Sequence, residues 1–130
     1  VDATRTVDRI VDSYPETKRI QIRSQLSSLI KAVIAQRLVA ASDGGSRIPA
    51  LEIMTGTSTV AQCISEGRTH DLLKAIEQGS YYGMQSFDQA LVKLQAEGKI
   101  TLEEARRNAT SVHGLELKMK GFAHETPGGS

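Results

Sequence analysis

Ala32-Val33-Ile34-Ala35-Gln36-Arg37-Leu38-Val39-Ala40-Ala41-Ser42-Asp43-Gly44-Gly45-Ser46-Arg47-Ile48-Pro49-Ala50-Leu51-Glu52-Ile53-Met54 is the stretch whose reading decides the fold. Residues 32–41 are apolar and partly β-branched, which suits a strand where the preceding helical pattern blurs. Asp43-Gly44-Gly45 is a strong turn signal. Residues 47–54 then read as a second strand. Pro49 has no amide to donate, so it belongs at a sheet edge or a strand beginning. The stretch predicts a β-hairpin.

The sequence on either side reads as helix. Upstream, Thr4 or Thr6 is placed to cap a short helix, with Val7, Ile10, Val11 and Tyr14 on one stripe. Pro15 interrupts and suits the start of the next helix. There Leu26, Leu29, Ile30 and Val33 line one face, and Lys18, Arg19, Arg23 and Gln25 read as exposed. Downstream, Thr57 or Ser58 caps a helix carrying Val60, Cys63 and Ile64, and Gly67 can close it in the left-handed conformation. Thr69 starts another, with Leu72, Leu73 and Ile76 inward and Gly79 and Gly83 loosening or ending it.

Two capping boxes follow, Ser86 with Gln89 and Thr101 with Glu104. Phe87, Leu91 and Leu94 form the stripe of the first helix, and Leu102 and Ala105 face inward from the second. Residues 115–120 alternate like a strand, yet Val112, Leu115 and Met119 also fit a helix; periodicity leaves the two open. Residues 122–130 hold Pro127, Gly128 and Gly129 and read as a flexible tail. The expected fold is mainly α with a small β-hairpin.

Composition bounds the function classes. With 39% hydrophobic and 24% charged residues, the chain can bury a core. Aromatics are only 4%, so that core must be aliphatic. A net charge of +1 lacks the basic excess of a nucleic-acid binder, and Lys18, Arg19 and Arg23 read as a solvated helix face. No apolar run approaches the roughly 20 residues that cross a bilayer, and no secretory signal opens the chain. The cytoplasm is the expected setting. Position 1 is Val rather than Met, so Val1 need not be the natural start.

No catalytic, cofactor-binding or metal-binding constellation emerges. Glu66-Gly67-Arg68-Thr69 resembles the end of a phosphate-binding loop, but the first glycine would fall at Gln62, and Arg68 stands where the lysine should. A helix end followed by a new cap at Thr69 explains it better. His70, His113 and His124 lack the spacing of helical metal ligands. The single Cys63 reads as a small buried hydrophobe; a Cys63–His70 nucleophile pair would need an orienting third group that is not evident. The chain works by contact, or supplies one wall of a site whose reactive parts lie elsewhere.

Several segments, in order, carry a resemblance. Asp2-Ala3-Thr4-Arg5-Thr6-Val7-Asp8-Arg9-Ile10-Val11-Asp12-Ser13-Tyr14-Pro15 resembles the stretch after the histidine box of the secretion-type ATPases that drive type IV pili. Gln21-Ile22-Arg23-Ser24-Gln25-Leu26, Gln36-Arg37-Leu38-Val39, Ala50-Leu51-Glu52-Ile53-Met54, Glu66-Gly67-Arg68-Thr69-His70 and Gly83-Met84-Gln85-Ser86-Phe87-Asp88-Gln89-Ala90-Leu91 agree as well. The resemblance covers about residues 1 to 120 and is nearest the PilT/PilU retraction branch. In the related extension and type II secretion ATPases, the segment like residues 36–39 runs into a four-cysteine zinc module. Here it runs into Ala41-Ser42-Asp43-Gly44-Gly45.

The resemblance implies the C-terminal portion of a RecA-like α/β ATPase domain plus a helical end. Residues 1–55 would close the ATPase core, 56–121 would form a C-terminal helical region, and 122–130 a tail. It implies a homohexameric motor that hydrolyses ATP with Mg, works with the pilus machinery of the inner membrane at its cytoplasmic face, and powers twitching motility. The phosphate loop, acidic boxes and histidine box would lie upstream of Val1, so this chain would hold no cofactor itself.

The family motif of the retraction branch falls on Thr59-Val60-Ala61-Gln62-Cys63-Ile64-Ser65-Glu66. Its usual form, Ala-Ile-Arg-Asn-Leu-Ile-Arg-Glu, is tied to retraction. Here the apolar positions persist, but Ala61 and Ser65 replace both arginines, which fits a PilU-like accessory motor or a divergent paralogue. This helix, with Gly67, Arg68 and His70, is the expected partner or subunit surface, and Arg5 and Arg9 are candidate ring contacts. An independent helical adaptor without motor ancestry, and a thiol enzyme using Cys63, are the competing readings.

Overall fold

The computed structural model describes residues 2–125, with side chains through residue 121. Seven α-helices and one two-stranded sheet follow in order among the described residues. They are α1 (Ala3–Asp12), α2 (Arg19–Leu29), β1 (Ala32–Val39), β2 (Ile48–Thr55), α3 (Ser58–Ser65), α4 (Leu72–Glu77), α5 (Phe87–Ala96), α6 (Leu102–Asn108) and α7 (Val112–Glu125). Short 3₁₀ turns precede α2 and α4, and another lies at Ser80–Tyr82. The hairpin forms as expected, with Gly44 in the left-handed region of its connection.

The chain divides into two compact units, residues 1–36 with 52–86, and residues 37–51 with 87–130.

In the first unit, Ala3, Val7, Met54, Val60, Cys63, Ile64, Leu72, Ile76 and Met84 form one buried aliphatic cluster. Leu26, Ile30, Val33 and Ala75 pack against it. Burying a Val, Leu or Ile side chain is worth roughly 1.5–3 kcal/mol, so this cluster holds the unit together. The buried Glu52 carboxylate is satisfied there by the Ala3 amide at 2.9 Å.

The N-cap of α1 is Asp2, whose carboxylate accepts from the Arg5 amide at 2.8 Å. Thr4 and Thr6 are therefore not caps; they lie inside the helix, and the Thr6 hydroxyl donates back to the Asp2 carbonyl. Val7 and Val11 are buried, but Ile10 and Tyr14 are exposed, so the stripe is narrower than expected. Leu29 of α2 is also exposed, while Leu26 takes the packed side.

In the second unit, α5 packs against α6 and α7. Its core contains Val39, Ala50, Phe87, Leu91, Ile100, Ala105 and Leu115. The Arg37 guanidinium lies 4.0 Å from the Phe87 ring centre and donates to the Asn108 carbonyl at 2.6 Å. Both oxygens of the buried Asp88 carboxylate accept backbone amides, from Thr110 and Ser111, just ahead of α7.

Two expectations change in this unit, and one open alternative is decided. Leu102 is exposed, and only Ala105 faces inward from α6. Residues 115–120 are helical, with Leu115 buried and Met119 half-buried one turn later. The α7 backbone continues to Glu125, past the expected start of the tail, and residues 126–130 lie outside the described residues.

Candidate interaction surface

Helix α3 is fixed at both ends by local chemistry. At its start, the Thr57 hydroxyl accepts from the Val60 amide at 3.3 Å. At its end, Gly67 turns left-handed at φ +72, the Gly67 amide donates to Ile64 and the Arg68 amide to Cys63. This pair of bonds satisfies carbonyls that a helix end would otherwise leave open. The helix-end reading of Glu66-Gly67-Arg68 is thus the structural one. The following 3₁₀ turn, Thr69–Asp71, opens at Arg68 without a side-chain cap, so Thr69 does not cap it.

The helix is two-sided. Val60, Cys63 and Ile64 are buried, Ala61 is half-buried, and Thr59, Gln62, Ser65 and Glu66 face solvent. Ser65 donates back to the Gln62 carbonyl. Cys63 is a free, buried thiol, and it makes no hydrogen bond to a base among the described residues. That burial removes the motive for a nucleophilic role.

Arg68 lies at the centre of the exposed end. Its Nε donates to Glu66 at 2.9 Å and its Nη1 to Asp71 at 2.8 Å. The bonds to Asp71 and then Glu66 raise the Arg68 pKa above its ordinary value. A Gln62 hydrogen bond, followed by Arg68, holds the Glu66 carboxyl below the usual range. These groups are solvated, so the pairs set orientation more than stability. The His70 imidazole is exposed, 3.6 Å from the Asp71 carboxylate.

Two participants escaped the sequence reading. Asp71 was detectable as an (i, i+3) partner of Arg68. Arg23 was not: it reaches from α2 to Gly67, where a Cβ would sit 3.5 Å from its Nε. Helix α1 also packs on the Thr69–Asp71 turn, bringing the segment of Arg5 and Arg9 to the same part of this unit. Arg5 is exposed, 3.9 Å from Asp2, and Arg9 is exposed in the last turn of α1. Among the described residues no three His, Cys, Asp or Glu side chains cluster as a metal site would require. At this surface Arg68 is paired with Glu66 and Asp71, and Cys63 is buried.

No family model matches the chain. Comparison with individual proteins is decisive. Over 119 residues the chain is 35% identical to the type IV pilus ATPase PilU of Pseudomonas aeruginosa, covering 92% of this chain and 31% of PilU. Over 107 residues it is 39% identical to the retraction ATPase PilT of the same organism, covering 82% of this chain and 31% of PilT. The chain belongs to the PilT/PilU family. A crystal structure of the pilus retraction motor PilT with bound ADP superposes with a TM-score of 0.74 at 32% identity, over 89% of this chain and 32% of that one. The match is to the C-terminal part of the PilT structure. The chain thus spans about a third of the length of the PilT/PilU relatives it matches. Membership of this family removes the reading as an adaptor without motor ancestry. Among the described residues no helix is long and apolar enough to cross a membrane.

Proposed function

We propose that this chain is the C-terminal portion of a hexameric, ATP-driven type IV pilus motor, and that it supplies ring and partner contacts rather than nucleotide chemistry. The observation that carries this reading is the PilT superposition: nearly the whole chain fits about a third of a motor whose described state binds ADP. Triphosphate chemistry needs a cradle of backbone amides and a cation, and this sequence offers no such loop. ATP and Mg would be held by the part of the relatives that this chain does not span.

The exposed end of α3, with Arg68 and His70, is the surface that meets a neighbouring subunit or the pilus machinery at the cytoplasmic face of the inner membrane. Arg5 and Arg9 extend it along α1. The replacement of both family arginines by Ala61 and Ser65 favours a PilU-like accessory role over retraction itself.

A chimera tests this. The matching third of Pseudomonas aeruginosa PilU is replaced by this chain, and ring assembly and ATP hydrolysis are measured. The expected result is a hexamer that turns over ATP. A folded chimera that stays monomeric and inactive would overturn the proposal. Retraction restored in cells lacking PilT would overturn the accessory role.

A further inference from the structure

Glu52 lies in the middle of β2 and is only 2% exposed. A carboxylate is rarely that deeply buried unless it is paired. An apolar side chain of similar size would fill the site without the cost of dehydrating a charge. What an acceptor adds there is a hydrogen bond from the Ala3 amide, at 2.9 Å across 49 positions of sequence. Ala3 is the first residue of α1, and its amide is one of the donors that a helix start leaves without an internal partner. Ala3 is fully buried, so water cannot serve that donor. A negative charge also suits this end of the helix.

The two ends of this bond lead in different directions. Behind Ala3, Asp2 caps α1 through the Arg5 amide, and its carbonyl accepts from the Thr6 amide and hydroxyl. The chain therefore enters α1 along a fixed path. Ahead of Glu52, β2 runs to Thr55 and passes through Gly56 and Thr57 directly into α3. That passage is tight, since a Cβ on Gly56 would meet the Ile30 carbonyl oxygen. Ile53, next to Glu52, exchanges two backbone hydrogen bonds with Gln85. Ala3 and Val7 of α1 share their buried cluster with Met54 of β2 and with Val60, Cys63 and Ile64 of α3.

We propose that Glu52 is a positioning residue: through the Ala3 amide it fixes the point where the nucleotide-holding part of the motor joins this chain against the strand that carries α3, so that movement driven by ATP reaches the α3 contact surface. The proposal rests on the motor reading above. The chain matches the C-terminal part of PilT and covers 31% of PilT and of PilU, so the rest of the motor polypeptide joins ahead of α1.

Two substitutions separate the acceptor from its bulk. Glu52→Gln keeps an acceptor oxygen for the Ala3 amide, whereas Glu52→Met keeps the volume and loses the oxygen. In the isolated chain, hydrogen exchange of the Ala3 amide and of the α3 amides should rise together by about 10-fold or more in Glu52→Met, with the α5 amides unchanged. Glu52→Gln should stay within about 3-fold of wild type. Unchanged exchange in α3, or an equal rise in α5 that marks general loosening, would overturn the proposal. In the PilU chimera, Glu52→Met should lower kcat for ATP about 10-fold with KM within about 2-fold, in a ring that still assembles, and Glu52→Gln should restore it. Undiminished kcat in Glu52→Met would overturn the proposal while leaving the motor reading intact. An unsubstituted chimera that neither assembles nor hydrolyses ATP would overturn the motor reading instead, and exchange in the isolated chain then decides by itself whether Glu52 links Ala3 to α3.

Discussion

The Glu104 carboxylate accepts a hydrogen bond from the Ala40 amide at 2.7 Å, joining residues 64 apart in sequence. Glu104 also accepts from Asn108 at 3.1 Å and from Arg107 at 3.0 Å. It thereby fastens the end of β1 to α6 within one unit. Glu104→Ala should lower unfolding free energy by about 1–3 kcal/mol, the cost of leaving donors in a buried site unmatched. Urea denaturation monitored by circular dichroism measures it.

The same carboxylate gives a pH dependence. The Ala40 amide, with Asn108 and Arg107 after it, holds the Glu104 pKa below its ordinary value against the opposing effect of burial. A carboxyl lowered in the folded state binds fewer protons there than when unfolded. Its stabilisation is therefore complete above the ordinary carboxylate range and is lost as pH falls through the lowered folded value. The melting-temperature gap between wild type and Glu104→Gln should be constant near neutrality and narrow in acid.

Arg37 combines a planar contact on Phe87 with a hydrogen bond to Asn108. Lysine keeps the charge but neither the planar face nor the forked donor geometry. Arg37→Lys should cost about 1 kcal/mol, read in the same urea titration. Arg9→Lys, on an exposed site, serves as the silent control.

A Cβ at Gly56 would collide with the Ile30 carbonyl oxygen, in the backbone where the end of α2 and the start of α3 approach. That neighbour is main chain and cannot swing aside. Gly56→Ala should destabilise by about 2 kcal/mol or more, whereas Gly121→Ala, which meets nothing within 4 Å, should be neutral. Thermal melts of the two variants make the comparison.

Local signals told the truth where the partner was local. Asp43-Gly44-Gly45 marked the hairpin turn, and Thr57 and Gly67 marked both ends of α3. Signals failed where a distant group intervened. The Thr101–Glu104 pair reads as a capping box, and the Thr101 hydroxyl does accept from the Glu104 amide. The Glu104 side chain, however, is turned to Ala40, whose position no local pattern reveals. Asp2 took the cap because its carboxylate reaches the Arg5 amide, two residues ahead of Thr4 and four ahead of Thr6. At the candidate surface, α3 and Arg68 were legible from spacing and family likeness. The approach of Arg23 to Gly67 was not, because it depends on how α2 packs against α3.

Under the proposed function, this chain contributes contact and no nucleotide chemistry. Its most direct test is ATP turnover by the isolated chain, measured beside the same chain joined to the remaining two-thirds of PilU. The expected result is no phosphate release above background from the isolated chain and sustained release from the joined protein. Turnover by the isolated chain at the rate of the joined protein would contradict it.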